Sequence, residues 1–345
     1  MRVLVTGATA QPAIALIGAL LADPGVELVL ASGLGGRTEL PHHPRLAFHR
    51  ADLTRARAVH DLLYGPAREL GVDAVVHGAL HRSARDGGRH VHDQNVEVTR
   101  ALLLGAAGHP TVRRFVFRSS AAVYAVRARE PNLLDEDTPL ELDPHAPQWV
   151  RDRVEADLTV CAHLGDAGLD VAVLRCAEIL TPGAGSQLWD YLQSRVCLRP
   201  LGFDPMINLL SLADAARAVM LALRSPARGV FNVAGADTLP LAQIVRRWRR
   251  RDIPVPGPLL APLYRWRTRA IGLEFRYDLN LRRFHFGGIL DGRRAADDLG
   301  YWPIHPLAWP DPVGPIRHAA CSTTGHEGDR AAGDGPVPGR DDRLV

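Results

Sequence analysis

Short runs of apolar residues alternate with longer amphipathic segments through most of the chain. Apolar runs of about four to eight residues are typical of buried strands, and a period of three to four residues is typical of helices. Strands are predicted at residues 3–5, 27–31, 46–52, 72–77, 114–120, 170–175 and 229–234. Helices are predicted at residues 13–22, 55–69, 95–107, 148–164, 212–223 and 239–251. Because strands and helices alternate at short spacing, we predict an α/β fold with a doubly wound parallel sheet.

The N-terminal turn has the features of a dinucleotide-binding site. After the first strand, Thr6-Gly7-Ala8-Thr9 predicts a tight turn, and Pro12 suits the first turn of a helix. A strand, a glycine turn and a helix open the dinucleotide-binding βαβ unit, in which the helix N-terminus faces a pyrophosphate. The candidates for this contact are Gly7, Thr9, Ala10 and Gln11.

The glycine pattern of this turn is incomplete. Gly7, Ala10 and Ala13 stand where the dinucleotide-binding pattern has glycines. The third glycine only permits close packing of helix on strand, whereas at the second the backbone must approach the pyrophosphate. A Cβ at Ala10 obstructs that approach, and a misplaced methyl group in a tight site costs about 1–3 kcal/mol. We therefore expect dinucleotide binding to be weak or absent.

The second predicted strand leaves the choice between NAD and NADP open. An acidic side chain near its end would bind the ribose hydroxyls of NAD, but the run Ala31-Ser-Gly-Leu-Gly-Gly-Arg37 contains no acid. Arg37 either meets a 2′-phosphate, which favours NADP, or is a solvent-exposed loop arginine.

Composition narrows the class of protein. The chain has 345 residues, 46% of them hydrophobic, and a net charge of +3, which fits a globular protein and gives no reason to expect nucleic acid as a partner. We find neither a secretion signal nor an apolar run of about 18 residues, so a cytoplasmic location is expected. The four cysteines are scattered, and no metal site is predicted.

Several further motifs occur in a fixed order. They are Ala51-Asp52-Leu53, Val75-Val-His-Gly-Ala79, Gln94-Asn95-Val96, Phe115-Val-Phe-Arg-Ser-Ser-Ala-Ala-Val-Tyr124, Phe231-Asn-Val-Ala-Gly235 and Leu299-Gly300-Tyr301. In this order and spacing the chain resembles the extended short-chain dehydrogenase/reductase family, in particular its NAD-dependent nucleotide-sugar epimerases and dehydratases. The resemblance covers about residues 1–305.

The resemblance implies ligands and a cofactor site. NAD or NADP is the implied cofactor, and a nucleotide sugar or another small molecule is the implied partner. Asp52 and Leu53 would contact the adenine, and Gly78 and Ala79 would form the turn beside the cofactor. Asn95 would stand at a helix start, where it either has a water-mediated role or caps the helix.

The resemblance also locates the catalytic positions. The family uses a Ser or Thr after the fifth strand and a tyrosine and a lysine at i and i+4 of the next helix, where they share one face. Ser120 matches the serine, Trp149 the tyrosine and Arg153 the lysine, in a chain without any lysine. Because an indole N–H cannot accept a proton, the standard acid/base pair is not available. Trp149 is either a core side chain or part of an atypical site, and Ser120 either binds substrate or caps a strand end.

Two classes of function follow. One is an NAD(P)-dependent epimerase, dehydratase or reductase that recruits another acid/base residue, with Asp152 and Glu178 as candidates. The other is a non-catalytic ligand-binding, regulatory or partner protein on the same fold.

In the predicted domain organisation the cofactor-binding domain is N-terminal. Residues 1–175 form the NAD(P)-binding Rossmann domain, to which 211–235 returns, and a smaller C-terminal substrate region comprises 176–210 and 236–316. Residues 317–345 are expected to be a disordered tail because they are rich in Gly, Asp and Arg and have little apolar content. Arginines and tryptophans are interleaved between Arg246 and Ile271, where they form either a peripheral membrane contact or a solvated helix face. A homo-oligomer is a further open prediction.

Overall fold

The computed structural model describes residues 1–36, 39–55 and 57–310. Its strands, numbered in chain order, are β1 (Arg2–Thr6), β2 (Leu28–Gly33), β3 (Leu46–Arg50), β4 (Ala74–His77), β5 (Arg114–Ser120), β6 (Leu133–Leu134), β7 (Asp170–Cys176), β8 (Val196–Pro200), β9 (Met206–Leu209), β10 (Gly229–Val233), β11 (Asp237–Pro240), β12 (Arg251–Val255) and β13 (Ile289–Leu290). The α-helices are α1 (Gln11–Ala22), α2 (Ala58–Leu62), α3 (Arg89–His92), α4 (Val98–Ala107), α5 (Gln148–Cys161), α6 (Gln187–Leu192), α7 (Leu212–Arg224), α8 (Leu241–Arg247), α9 (Gly257–Ile271), α10 (Tyr277–Phe286) and α11 (Arg293–Leu299).

Seven strands form one parallel sheet in the order β10-β7-β5-β4-β1-β2-β3. From β1 the chain first adds β2 and β3 on one side of that strand, and it then adds β4, β5, β7 and β10 on the other side. The strand order therefore reverses between β1 and β4. The prediction of a doubly wound parallel α/β sheet is confirmed. In such sheets ligands bind beyond the carboxyl ends of the strands at the reversal.

Helices cover both faces of the sheet because its central strands are apolar on both sides. On β5, Val116 packs into the cluster that contains α1 and α7, whereas Phe115 and Phe117 pack into the cluster with α4 and α5. This alternation follows from the period of two along a strand. The predicted strand at residues 114–120 coincides with β5.

The chain leaves the sheet after β7 and returns to it for β10. The segments before and after β10 together build a separate set of elements. Strands β8 and β12 pair in parallel, and β9 and β11 pair antiparallel. An aromatic cluster lies among the surrounding helices, formed by Tyr191, Tyr264, Phe275, Tyr277 and Phe284. Residues 1–309 form one compact unit, and the assignment of the C-terminal elements to substrate binding stays a prediction.

Some predicted boundaries are wrong. The strand expected to reach Asp52 ends at Arg50, so Asp52 lies in a loop. The helix expected to start at Asn95 begins at Arg89 and passes through a π-helical segment, Asp93–Glu97, before α4. Asn95 is therefore inside a helix and does not cap it.

Two predictions fall outside the part of the chain that is described, namely the role of Arg37 and the order of residues 317–345. Among the described helices, none has the length and apolar character needed to cross a membrane.

Candidate cofactor and active site

A cleft of about 500 Å³ opens beyond the carboxyl ends of the central strands, at the reversal between β1 and β4. The turns after these two strands are in close contact. Gly7 has φ +67°, and a Cβ placed on it would lie 2.9 Å from the Cα of Ala79. Only glycine fits here, because the space is too small for a side chain and the backbone conformation disfavours one.

The turn after β1 leads directly into α1. The Ala10 N–H donates to the Gly7 carbonyl at 3.0 Å, and Ala10 is the N-cap of α1 without a side-chain cap. Gly7, Thr9 and Ala10 line the cleft, whereas Gln11 is exposed and is not part of the lining. The unpaired amides of a helix N-terminus are suited to a pyrophosphate.

One end of the cleft is lined by Gly33, Leu34, Asp52, Leu53 and Thr54. Thr54 holds the Asp52 carboxylate with its backbone N–H at 3.1 Å and its hydroxyl at 2.7 Å. These hydrogen bonds lower the pKa of Asp52 below its usual value. At one end, therefore, the cleft has a fixed hydrogen-bond acceptor, the Asp52 carboxylate, beside the apolar Leu34 and Leu53. The N-terminus of α1 lies further along the same cleft. This arrangement fits the adenosine and pyrophosphate of a dinucleotide.

Ser120, Trp149 and Arg153 also line the cleft. The Ser120 hydroxyl accepts a hydrogen bond from the Ala122 N–H at 3.1 Å, so it caps the short turn that follows β5 while it lines the cleft. The Trp149 side chain is buried, and its indole Nε1 has no hydrogen-bond partner among the described residues. Trp149 is thus both a core residue and a wall of the cleft.

Arg153 stacks on Trp149. Its guanidinium carbon lies 3.6 Å from the centre of the indole, and its two terminal nitrogens donate to the carbonyls of Trp149 at 3.1 Å and His81 at 3.0 Å. The side chain is held by an aromatic face and two carbonyls rather than by a carboxylate. Burial, together with the charge of Arg118, lowers the pKa of Arg153 to about 9.

Asn95 supports this site through the loop that contains His81. It does not line the cleft, and it is buried. Its side-chain oxygen accepts from the His81 N–H at 2.7 Å, and its nitrogen donates to Asp152 at 3.3 Å. Because the His81 carbonyl binds Arg153, Asn95 fixes the loop that positions this arginine.

The two candidate acid/base residues are in different places. Asp152 is buried outside the cleft lining, where His92, Asn95 and Gln148 saturate its carboxylate. Its hydrogen bond raises the pKa of His92. Glu178 lines the cleft and is held by the Ser186 hydroxyl at 2.6 Å and by Arg283 at 3.2 Å. Glu178 is the carboxylate that a substrate in the cleft could reach.

Two arginines of the cleft, Arg82 and Arg118, were not among the residues predicted from the sequence. Arg118 is part of the Phe115–Tyr124 motif, two residues before Ser120 and therefore on the same side of the strand. That spacing was the signal that could have placed it in the site. Arg82 lies in the loop after β4 and has no signal of its own in the sequence.

A sequence profile of the NAD dependent epimerase/dehydratase family matches residues 3–234. An uncharacterised protein of Mycobacterium tuberculosis is 30% identical over 74% of this chain and 68% of its own length. A 3-diazoavenalumate denitrifying reductase of a Streptomyces species is 31% identical over 91% of this chain and 99% of its own length.

A similar fold occurs in the UDP-glucuronic acid 4-epimerase of Bacillus cereus, whose crystal structure contains UDP-glucuronic acid and NAD. The TM-score is 0.66, with 17% identity over 89% of this chain and 95% of that one. At this identity the likeness concerns the fold.

Proposed function

Because the chain belongs to the NAD-dependent epimerase/dehydratase family, we propose that it is an NAD(P)-dependent oxidoreductase with an atypical active site. A dinucleotide would lie in the cleft with its adenosine near Asp52 and its pyrophosphate at the start of α1. The nicotinamide cofactor supplies a hydride acceptor or donor when it is bound. Residues Ser120, Trp149 and Arg153 would then surround the reacting carbon.

The observation that carries the proposal is the cleft at the strand reversal, which is lined by the turn after β1, by Asp52 and by the positions at which the resembled family has its catalytic pair. Trp149 and Arg153 lie one turn apart on α5 and stack on each other. Neither side chain exchanges a proton near neutral pH, because an indole N–H only donates and a guanidinium stays protonated. Proton transfer, where the reaction needs it, falls to Glu178, the carboxylate in the lining beside Ser186. We expect the chemistry to be a reduction or oxidation that requires little assistance from an acid.

The relative from Streptomyces supports a reductase. Its name describes the reductive removal of nitrogen from a diazo compound, and it aligns with this chain over nearly its whole length. When a diazonium carbon gains a hydride, the C–N bond breaks and N₂ leaves, so no alkoxide forms and no tyrosine needs to donate a proton. A nucleotide sugar is the second candidate, because the similar Bacillus cereus structure contains UDP-glucuronic acid.

Calorimetric titration of the full chain with NAD, NADP and ADP-ribose tests the proposal. Binding of a dinucleotide that weakens in Asp52→Ala would support it, and Asp61→Ala, exposed on α2, is the matched control. Oxidation of NADPH or NADH in the presence of a diazonium compound would then separate a reductase from a binding protein. If no dinucleotide binds at millimolar concentration, the proposal is wrong and the non-catalytic alternative is favoured.

We also propose that α9 contacts an anionic membrane surface. Leu260 and Tyr264 are buried on one side of the helix, while Leu259, Leu263 and Trp266 are 53%, 38% and 65% exposed. These three residues recur at i, i+4 and i+7 and so form one stripe. The exposed Arg265 and Arg269 flank it, and an apolar stripe with flanking arginines suits anionic lipid headgroups.

Co-sedimentation with vesicles of phosphatidylglycerol and phosphatidylcholine tests this contact. We expect binding that is lost in Trp266→Ser, at high salt, and with vesicles of phosphatidylcholine alone. Trp302→Ser is the matched control, because Trp302 is equally exposed outside α9. A dimer that dissociates in Trp266→Ser without any vesicle binding would show that a second copy covers the stripe instead.

A further inference from the structure

Three arginines converge in the cleft beside the catalytic positions. Arg118 donates from Nη2 to the Gly78 carbonyl at 3.3 Å, and a Cβ on Gly78 would lie only 3.1 Å from its Nε. A Cβ on Gly185 would lie 3.2 Å from Nη2 of Arg153, and a Cβ on Gly183, two residues earlier in the same loop, would lie 2.8 Å from Nη1 of Arg82. We call Arg82, Arg118 and Arg153 the arginine cluster. It lines the cleft together with Trp149.

Within the described part of the chain, the arginine cluster has no ion-paired carboxylate. None of the ion pairs among the described residues involves any of the three arginines. Of the nearby carboxylates, Asp86 binds His81 at 2.8 Å and Glu178 binds Arg283 and Ser186. The charge of the exposed Glu39 raises the pKa of Arg82, against the larger effect of burial, without forming an ion pair with it. Burial and the neighbouring arginines lower the pKa of both Arg118 and Arg153.

Unpaired charge inside a protein is costly unless a ligand neutralises it. Guanidinium groups bind carboxylates and phosphates through two parallel hydrogen bonds. Arg118 and Arg153 are held in place by carbonyls of Gly78 and His81, so part of the entropy cost of binding an anion is already met.

We propose that the arginine cluster binds a carboxylate or phosphate group of the substrate next to the reacting carbon. The substrate class is therefore a small molecule with an anionic group close to the position that gains or loses hydride. The assignment of the anion to a substrate rests on the proposed oxidoreductase function, whereas anion binding by the cluster can be tested without it.

The probes are inorganic phosphate and benzoate, added to the full chain in a buffer otherwise free of oxyanions. We expect both anions to bind and to raise the melting temperature. In Arg118→Gln and Arg153→Gln the affinity should fall about 10- to 100-fold, since a hydrogen bond to a charged group contributes about 1.5–3 kcal/mol. Arg82→Gln, at the exposed mouth of the cleft, should reduce affinity without disturbing the fold. Arg129→Gln, exposed in a loop after β5, is the control.

A second arm identifies the source of the anion. With saturating ADP-ribose present, phosphate should still bind if the cluster receives the substrate. If ADP-ribose displaces phosphate in an Arg118-dependent way, the cluster holds the cofactor's pyrophosphate and the inference is wrong. Equal affinity in all arginine variants also overturns it. Failure of ADP-ribose to bind, with phosphate binding still dependent on Arg118, would refute the dinucleotide proposal and leave the anion site standing.

Discussion

The guanidinium of Arg153 lies flat on the indole of Trp149, 3.6 Å from its centre, one helical turn further along α5. In the resembled family these two positions hold a tyrosine and a lysine. The stacked pair keeps the positive charge and the aromatic ring of that arrangement and loses the group that transfers a proton. A cation on a buried aromatic face is stabilised by about 2 kcal/mol, so the pair supports the packing of the site.

Restoring the catalytic pair should create sugar chemistry. In Trp149→Tyr with Arg153→Lys, the phenol and the ammonium would share one face of α5 beside Ser120. We expect NAD reduction with UDP- or dTDP-sugars to rise by about 10²–10⁴-fold over the unmodified chain, the usual contribution of general acid/base catalysis. The rate is measured by absorbance of NADH.

The control for this repair is Ser120→Ala in the repaired protein, which should lower the gained rate. Its melting temperature must be measured as well, because the Ser120 hydroxyl caps the turn after β5. Rapid turnover of nucleotide sugars by the unmodified chain would place the chemistry at other residues.

Ala10→Gly should strengthen dinucleotide binding. The Ala10 methyl group stands at the start of α1, where the backbone would approach a pyrophosphate. Removal of an obstruction of about 1–3 kcal/mol corresponds to a gain of about 5- to 150-fold in the dissociation constant for NAD, measured by calorimetry. Ala13→Gly is the control, because that position only affects packing. An equal gain in both variants would indicate a loosened helix start rather than steric relief.

The buried ion pair between Asp157 and Arg175 should be essential for folding. Arg175 donates to Asp157 at 2.6 Å and 3.2 Å and to the Tyr124 hydroxyl at 3.2 Å, and Ser119 donates to Asp157 at 2.5 Å. Asp157→Ala leaves a buried guanidinium without its partner and should lower the free energy of unfolding by about 3–5 kcal/mol. Denaturant unfolding measures the change.

A double change, Asp157→Leu with Arg175→Met, should lose less than Asp157→Ala, because it removes both charges. Glu130→Ala, which breaks the exposed pair with Arg127, should have little effect. If Asp157→Ala were as mild as Glu130→Ala, the network would not contribute to stability.

His77 should make the protein less stable in mild acid. Its Nδ1 lies 2.8 Å from the Thr6 hydroxyl and its Nε2 lies 2.9 Å from that of Thr99. Since the Thr99 hydroxyl donates to the Asn95 carbonyl, it accepts from Nε2–H, which fixes the neutral tautomer. Complete burial lowers the pKa of His77 to about 3.

The pKa of His77 in the folded state lies below its unfolded value of about 6.5, so the unfolded state binds more protons in this range. Its contribution to stability is present above pH 6.5 and is lost as the pH falls, by about 2 kcal/mol at pH 5. His77→Gln should flatten the dependence of unfolding free energy on pH. The pKa of His92 is raised by Asp152, so its contribution to stability is lost as the pH rises instead of as it falls. Because His92 is present in both the unmodified chain and His77→Gln, the difference between their unfolding free energies reports His77 alone. Parallel pH profiles would contradict the prediction.

The sequence by itself determined the parallel sheet, and it proposed the catalytic positions. Periodicity located β5 and the start of α5 correctly because an apolar strand and a proline-flanked helix are local patterns. The motifs placed Ser120 at the end of β5 and both Trp149 and Arg153 on α5. That a tryptophan stands where the resembled family has a tyrosine was evident from residue type alone.

Only the tertiary structure decided how these residues meet. Arg118 and Arg82 come from a strand and a loop that are distant from α5 in the chain. The spacing from Ser120 indicates which side of β5 Arg118 lies on, but no local pattern brings either arginine next to Arg153. The structure also distinguished Asp152 from Glu178 as candidate acid/base residues. His92 and Asn95, which lie in other helical segments, occupy the carboxylate of Asp152 with hydrogen bonds. Asn95, for which the sequence left a helix cap and a water-mediated role open, lies instead in the π-helical segment Asp93–Glu97, which packs on α5, and there it positions a loop. Long-range packing and charge, rather than period or motif, fix the chemistry of the cleft.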